Sequence, residues 1–213
     1  GVHAAATAER AVGLILAKLR GIDQAVKDQQ IESWKPQRRQ SLADRRILLL
    51  GIGGVGKALA KRLGPFRGTI TRTAAAGQVH SSDDLVALAA DHDILGSVLP
   101  LNDKTHHLVD GKVLAALPDG ALVVNVGRGA VISTDALTRE VVSGRLNCAI
   151  DVVDPEPLPA GHALWSAENA LVTPHVGGNA SAFEPRILKL LKSQLELLAG
   201  GKTPANLVRH GAS

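Results

Sequence analysis

The sequence predicts a doubly wound α/β fold, a parallel sheet with helices on both faces. Two observations carry the prediction. Short, continuous apolar runs alternate along the 213 residues with stretches of helical period, and runs without polar alternation suit strands buried on both faces. Where the first run ends, LLLGIGGVGKALAKRL (48–63) passes from strand to helix through Gly51, Gly53, Gly54 and Gly56, a tight turn of the kind that joins strand to helix in such folds.

The elements follow in order. GVHAAATAERAVGLILAKLRGIDQAV (1–26) reads as the start of one long, largely apolar helix with no cap before it. LADRRILLL (42–50) gives the first strand, and a helix begins at Val55. GTITRT (68–73) is a second strand, and SSDDLVALAADHD (81–93) a helix headed by Ser or Asp. ILGSVLPL (94–101) is a third strand, GKVLAALP (111–118) a short helix and ALVVNV (121–126) a buried fourth strand. STDALTREVVSG (133–144) is a capped helix ending at Gly144, before the strands NCAIDVV (147–153) and NALVTP (169–174). RILKLLKSQLELLAGG (186–201) closes as an amphipathic helix with a glycine stop. No internal repeat interrupts the pattern.

Composition narrows the function classes. Hydrophobic residues make up 45% and charged residues 21%, an ordinary globular balance. The net charge of +4 is dispersed except in KPQRRQSLADRR (35–46), which lacks interleaved aromatics and reads as a solvated loop, so no nucleic-acid partner is expected. A single Cys148 excludes an internal disulfide and a cysteine-based zinc cluster, and no metal site is expected. No apolar run is of membrane-spanning length and no signal peptide opens the chain, which makes the cytoplasm the expected location. The chain has no Met and starts at Gly1 in an uncapped helix, so it reads as a piece of a longer protein.

Glycine costs roughly 0.5–1 kcal/mol in regular structure, and four in one turn ask for a compensating role. The spacing Gly51-x-Gly53-x-x-Gly56 aims a helix N-terminus at a pyrophosphate, the Rossmann arrangement. Gly51 would make the turn, Gly53 would admit phosphates, and Gly56 would let the helix pack on the sheet. A tight turn without a ligand is the plainer alternative. Residues 1–185 are then one NAD(P)-binding domain including the opening helix, and 186–213 a helix and tail that leave it.

In a doubly wound fold the ligand crevice lies at the carboxyl ends of the strands. Those ends carry the glycine loop, then Thr71-Arg72-Thr73, Leu99-Pro100, Gly127-Arg128-Gly129, Asp151 with Glu156 soon after, and Pro174-His175. An arginine, a carboxylate and a histidine meet on one rim. Dinucleotide contacts are expected from Gly51, Gly53, Gly54, Val55, Gly56, Arg72, Thr73, Leu99, Pro100, Thr105, Val126, Gly127, Asp151 and Gly177. Asp151 could face the nicotinamide amide or only cap its turn. His80, His92, His106, His107 and His162 lack such context and read as surface residues.

Three ordered segments resemble the D-isomer-specific 2-hydroxyacid dehydrogenase family. VVNVGRGAVISTDAL is similar to the motif around its substrate-binding arginine, AIDVVDPEPLP to the segment with its catalytic acid, and LVTPHVGG to the one with its histidine. GVHAAATAERAVGLILAKLRGI resembles the helix by which that family's chain enters the nucleotide domain. Two departures stand out: most of the family's substrate domain would precede Gly1, and Asp154 occupies a position more often Glu.

The resemblance implies hydride transfer between NAD(P) and a small 2-oxo or 2-hydroxy acid such as glyoxylate or hydroxypyruvate, with Arg128, Glu156 and His175 catalytic, and a homodimer built on this domain. The residue types suit those roles. A guanidinium grips a carboxylate bidentately and stays charged, imidazole exchanges protons near working pH, and a carboxylate beside it favours the imidazolium. Structural alternatives are a pairing of Arg128 with Glu140, a hydrogen-bonded structural His175 and a solvated Glu156. With most of the substrate domain missing, this chain is expected to bind the dinucleotide but turn over substrate poorly.

An NAD site usually places Asp or Glu at the end of the second strand. Arg72 between two threonines suits a 2′-phosphate instead, so NADP is the expected cofactor, with NAD possible if Arg72 only stacks on the adenine. Val12, Leu14, Ile15, Leu16 and Leu19 cover more than one face of the opening helix, which also suggests a dimer. Two rival readings are a non-catalytic dinucleotide-sensing module of the same fold and an S-adenosylmethionine methyltransferase, the latter disfavoured by the glycine spacing and by Arg72.

Overall fold

The computed structural model describes residues 2–73 and 82–205. Among them six strands form one parallel sheet in the order β2-β1-β3-β4-β5-β6: β1 (Arg46–Leu50), β2 (Thr69–Thr73), β3 (Ile94–Ser97), β4 (Leu122–Asn125), β5 (Asn147–Ile150) and β6 (Ala170–Val172). The chain passes from β2 back over β1 to β3, and that reversal opens a crevice at the carboxyl ends.

Period-two alternation divides the core into two layers. Ile47 and Leu49 of β1, with Leu122 and Val124 of β4, pack against α1 (Ala4–Arg20) and α3 (Gly54–Leu63) through Ile15 and Leu59. Leu48, Leu50, Leu95 and Val123 face the other way, onto α4 (Ser82–Ala89), α5 (Gly111–Ala116) and α6 (Thr134–Val142). A strand apolar on both faces requires exactly this double covering, so the fold matches the doubly wound expectation.

Several boundaries differ from the sequence reading. The opening helix breaks at Gly21, whose φ of +65° ends α1 with its N–H on the carbonyls of Ala17 and Lys18; α2 (Ile22–Gln30) follows. The strand expected over 94–101 ends at Ser97, and Val98, Leu99 and Pro100 beyond it line the crevice. The last helix, α7 (Phe183–Ala199), starts before residue 186, so the expected break after 185 falls inside its first turn. His80, the cap at Ser81 and the tail 206–213 lie outside the described residues. No helix among the described residues is long and apolar enough to cross a membrane.

The residues offered as a dimer face on α1 have another use. Leu14, Ile15 and Leu19 are buried, and Val12 and Leu16 pack against the same cluster, because α1 is covered by the sheet on one side and by α3 on another. His92 is likewise a core residue and not a surface one. Its Nδ1–H donates to Leu88 O at 2.6 Å, and Thr71 Oγ1 lies 2.7 Å from Nε2, which ties the end of α4 to β2 and satisfies both ring nitrogens.

Candidate active site

β1 runs into the glycine loop. Gly51 has a φ of +102°, where a side chain would be strained. A Cβ on Gly56 would lie 2.0 Å from Gly51 O, so only glycine lets α3 start this close to the strand. Gly53 is the N-cap of α3 and supplies no side-chain oxygen to the first-turn N–H groups. Nothing lies within 4 Å of the place a Gly53 Cβ would take, which leaves open space in front of those donors.

At the end of β4, buried Asn125 organises the next loop. Its Nδ2 donates to Arg128 O at 3.0 Å and its Oδ1 accepts from Gly127 N at 3.1 Å. The Arg128 side chain is exposed toward the crevice, with Nη1 donating to Gly127 O at 2.8 Å. Glu140, the structural partner considered for it, instead pairs with Arg145 at 2.6 Å. Asn125 was not among the expected site residues. Its signal in the sequence was one polar side chain inside the apolar run ALVVNV.

The ends of β5 and β6 supply the acid and base. His175 Nδ1 lies 2.6 Å from Glu156 Oε1, with both residues exposed. An ionised carboxylate only accepts, so Nδ1 carries the donated proton and Nε2 is left for another partner. His175 has a φ of +52°, an uncommon conformation for a side chain of its size. Asp151 is 2% exposed and engaged on both oxygens, Oδ1 by Thr173 Oγ1–H and Oδ2 by Gly177 N–H at 2.7 Å. The Arg10 guanidinium of α1 stands 3.6 Å from Oδ1.

These loops surround a cleft of about 610 Å³. Of the expected residues, Val55, Leu99, Pro100 and Val126 line it together with Gly127, Arg128, Asp151, His175 and Gly177. Gly51, Gly53, Gly54 and Gly56 form the adjoining loop and helix start. Arg72 is exposed beside Leu49 in the register of β2, with Thr73 beside Leu50, one residue short of that loop. Thr105 does not line the cleft: it is buried, donating to Pro100 O at 2.7 Å and accepting from Asn102 N at 2.9 Å, and so holds the turn that carries Pro100.

Glu156 stands behind His175, at a second hollow of about 270 Å³ that also touches Trp165. His3 and Phe183 also border the main cleft, their rings stacked at 4.7 Å. Neither is an expected site residue, because the contact joins the N-cap of α1 to the first residue of α7, far along the chain. No cluster of three potential metal ligands occurs among the described residues.

The arrangement offers an open helix N-terminus, a fixed cation, and a carboxylate-backed imidazole on one rim. Comparisons with known proteins agree with it. Residues 12–177 match the D-isomer specific 2-hydroxyacid dehydrogenase, NAD binding domain. The chain is 32% identical over 223 residues to the glyoxylate reductase of Thermofilum pendens, covering 98% of this chain and 66% of that protein. It is 32% identical over 197 residues to the hydroxypyruvate reductase of Thermotoga maritima, covering 88% of this chain and 64% of that one. The chain thus spans about two thirds of the length of these relatives. Its fold is similar, at a TM-score of 0.83 and 27% identity, to a D-isomer specific 2-hydroxyacid dehydrogenase from Xanthobacter autotrophicus in complex with NADPH; the match covers 97% of this chain and 88% of that one.

Proposed function

The chain belongs to the D-isomer-specific 2-hydroxyacid dehydrogenase family, and from that premise we propose that it is the nucleotide-binding part of a reductase acting on a small 2-oxo acid such as glyoxylate or hydroxypyruvate, with NADPH as the preferred cofactor. The observation that carries the reading is the 2.6 Å pairing of His175 with Glu156 on the rim that also presents Arg128.

The residues fit a dinucleotide. The uncapped start of α3 and the open space at Gly53 suit a pyrophosphate, and exposed Arg72 at the end of β2 suits a 2′-phosphate. When bound, the nicotinamide supplies the hydride. Arg128 binds the substrate carboxylate, and its fixed charge also favours the developing alkoxide. His175 holds a proton on Nε2 for the carbonyl oxygen, while Glu156 orients the ring by accepting from Nδ1–H. In the reverse direction the neutral imidazole takes that proton back.

A homodimer is part of the same proposal. Its support is a run of exposed apolar residues in and just after α2, Ile22, Val26, Ile31 and Trp34, the last 94% exposed. Of these, Trp34 lines a hollow of about 680 Å³ whose rim mixes Asp28 and Glu32 with Lys35, charges of both signs that a second copy could complement. The enzymatic reading is tested by following NADPH absorbance with glyoxylate and with hydroxypyruvate in the full-length protein. Consumption that depends on the 2-oxo acid supports it. Dinucleotide binding without turnover of any 2-oxo acid refutes it in favour of a non-catalytic module.

A further inference from the structure

The carboxylate of Asp151 grips the loop that carries His175 from both sides. Oδ1 accepts from Thr173 Oγ1 on the β6 side, and Oδ2 accepts from Gly177 N at 2.7 Å beyond the histidine. The main chain of the same residue adds a third tie, because Asp151 O accepts from His175 N at 2.8 Å. Asp151 N is itself held by Asn125 O at 2.9 Å, so the clamp is anchored to β4 and not to another loop. Within this grip His175 adopts its φ of +52°. A side chain in that region persists only where its surroundings over-determine it, and three hydrogen bonds to one residue do so.

A carboxylate this buried also needs a counter-charge. Arg10 provides it at 3.6 Å, from a helix remote in sequence. We propose that Asp151 is the positioning residue for His175, acting through the backbone of 173–177, and that Arg10 keeps it in place. The role assigned to His175 rests on the functional reading above; the clamp itself does not. Its influence on proton transfer passes through the direction in which the imidazole points.

The test leaves Asp151 itself intact, since replacing a buried ion-paired carboxylate could unfold the domain. Thr173→Val and Arg10→Leu each remove one partner, and Thr173→Ser and Arg10→Lys are the conservative rescues. Three measurements are made on the full-length protein: amide hydrogen exchange at His175 and Gly177, NADPH affinity by titration, and kcat and KM separately with glyoxylate. Thr173→Val and Arg10→Leu are expected to speed exchange at both amides about tenfold or more and to lower kcat about tenfold, with KM and NADPH affinity held within threefold. Ser and Lys at the two positions are expected to restore both readouts. Unchanged exchange in either disruptive variant, or failure of the rescues, overturns the clamp. A wild-type protein that binds no NADPH overturns the functional reading instead, and the exchange data still decide whether Asp151 positions the loop.

Discussion

The imidazole of His175 and the carboxylate of Glu156 meet at 2.6 Å although 19 residues separate them in sequence. The pair makes the two residues unequal in a way that mutants can read. His175→Ala removes the proton donor and is expected to lower kcat by about 10³-fold, within the usual range for general acid catalysis. Glu156→Gln keeps the size and a hydrogen-bond acceptor but loses the charge, and about 10- to 100-fold is expected. NADPH affinity measured by titration should stay within about twofold in both, since neither residue belongs to the glycine loop.

Gly56→Ala tests the strand-to-helix turn. The added methyl would stand 2.0 Å from Gly51 O, a backbone atom that cannot move without shifting β1 or α3. A loss of about 3 kcal/mol or more is expected in chemical denaturation, together with loss of dinucleotide binding. Gly53→Ala meets open space, so its stability should change by less than about 1 kcal/mol while its NADPH affinity falls.

Arg72 should set the cofactor preference. The wild-type protein is expected to bind NADPH more tightly than NADH in calorimetric titration, and Arg72→Ala to remove about tenfold of that difference, or about 1.4 kcal/mol. Equal affinities in the wild type would mean that the arginine does not meet a 2′-phosphate.

Cys148 lies in the core, and burial pushes its thiol up to about 12. The folded protein therefore keeps a proton that the unfolded chain loses near about pH 8.5. This contribution to stability is fully present below that pH and is lost as pH rises toward about 12, with a slope of about 1.4 kcal/mol per pH unit in between. A thiol reagent at about pH 8 should leave the native protein unlabelled and react fully after unfolding.

The exposed patch at Trp34 gives the prediction about assembly. Light scattering at micromolar concentration should return twice the chain mass for the wild type, and Ile31→Ser combined with Trp34→Ala should return the single mass with unchanged circular dichroism. A wild-type protein of single mass would remove the dimer from the proposal.

The sheet and the glycine loop were legible because both depend on local sequence: an apolar run such as RILLL (46–50) can only be buried on two faces, and the glycine spacing is a backbone requirement. What escaped depends on contacts between distant segments. Gly21 broke the first helix although the apolar pattern continued across it, because a left-handed cap leaves no trace in periodicity. His92 looked solvated until β2 brought Thr71 to its ring. Leu14, Ile15 and Leu19 were apolar in excess of one contact, and α3 takes up that excess for these three. Arg10 and Thr173 act on Asp151, far along the chain, whereas Asn125 acts on Gly127 and Arg128 beside it.

The order of the strands also governs how this sheet can assemble. β1 pairs with β2 through Ile47 and Ile70 and with β3 through Ile47 and Ile94, so neither neighbour can dock until a whole helical crossover has been laid down. Every later strand pair is parallel as well and carries the same requirement. Each step must close a long loop before its contacts repay the lost chain entropy. On a ribosome one edge of β1 can therefore pair once Thr69 to Thr73 of β2 have emerged, but its other edge waits, unpaired, until Ile94 to Ser97 follow, and that interval is when the chain is most exposed to mispairing or to capture by a chaperone.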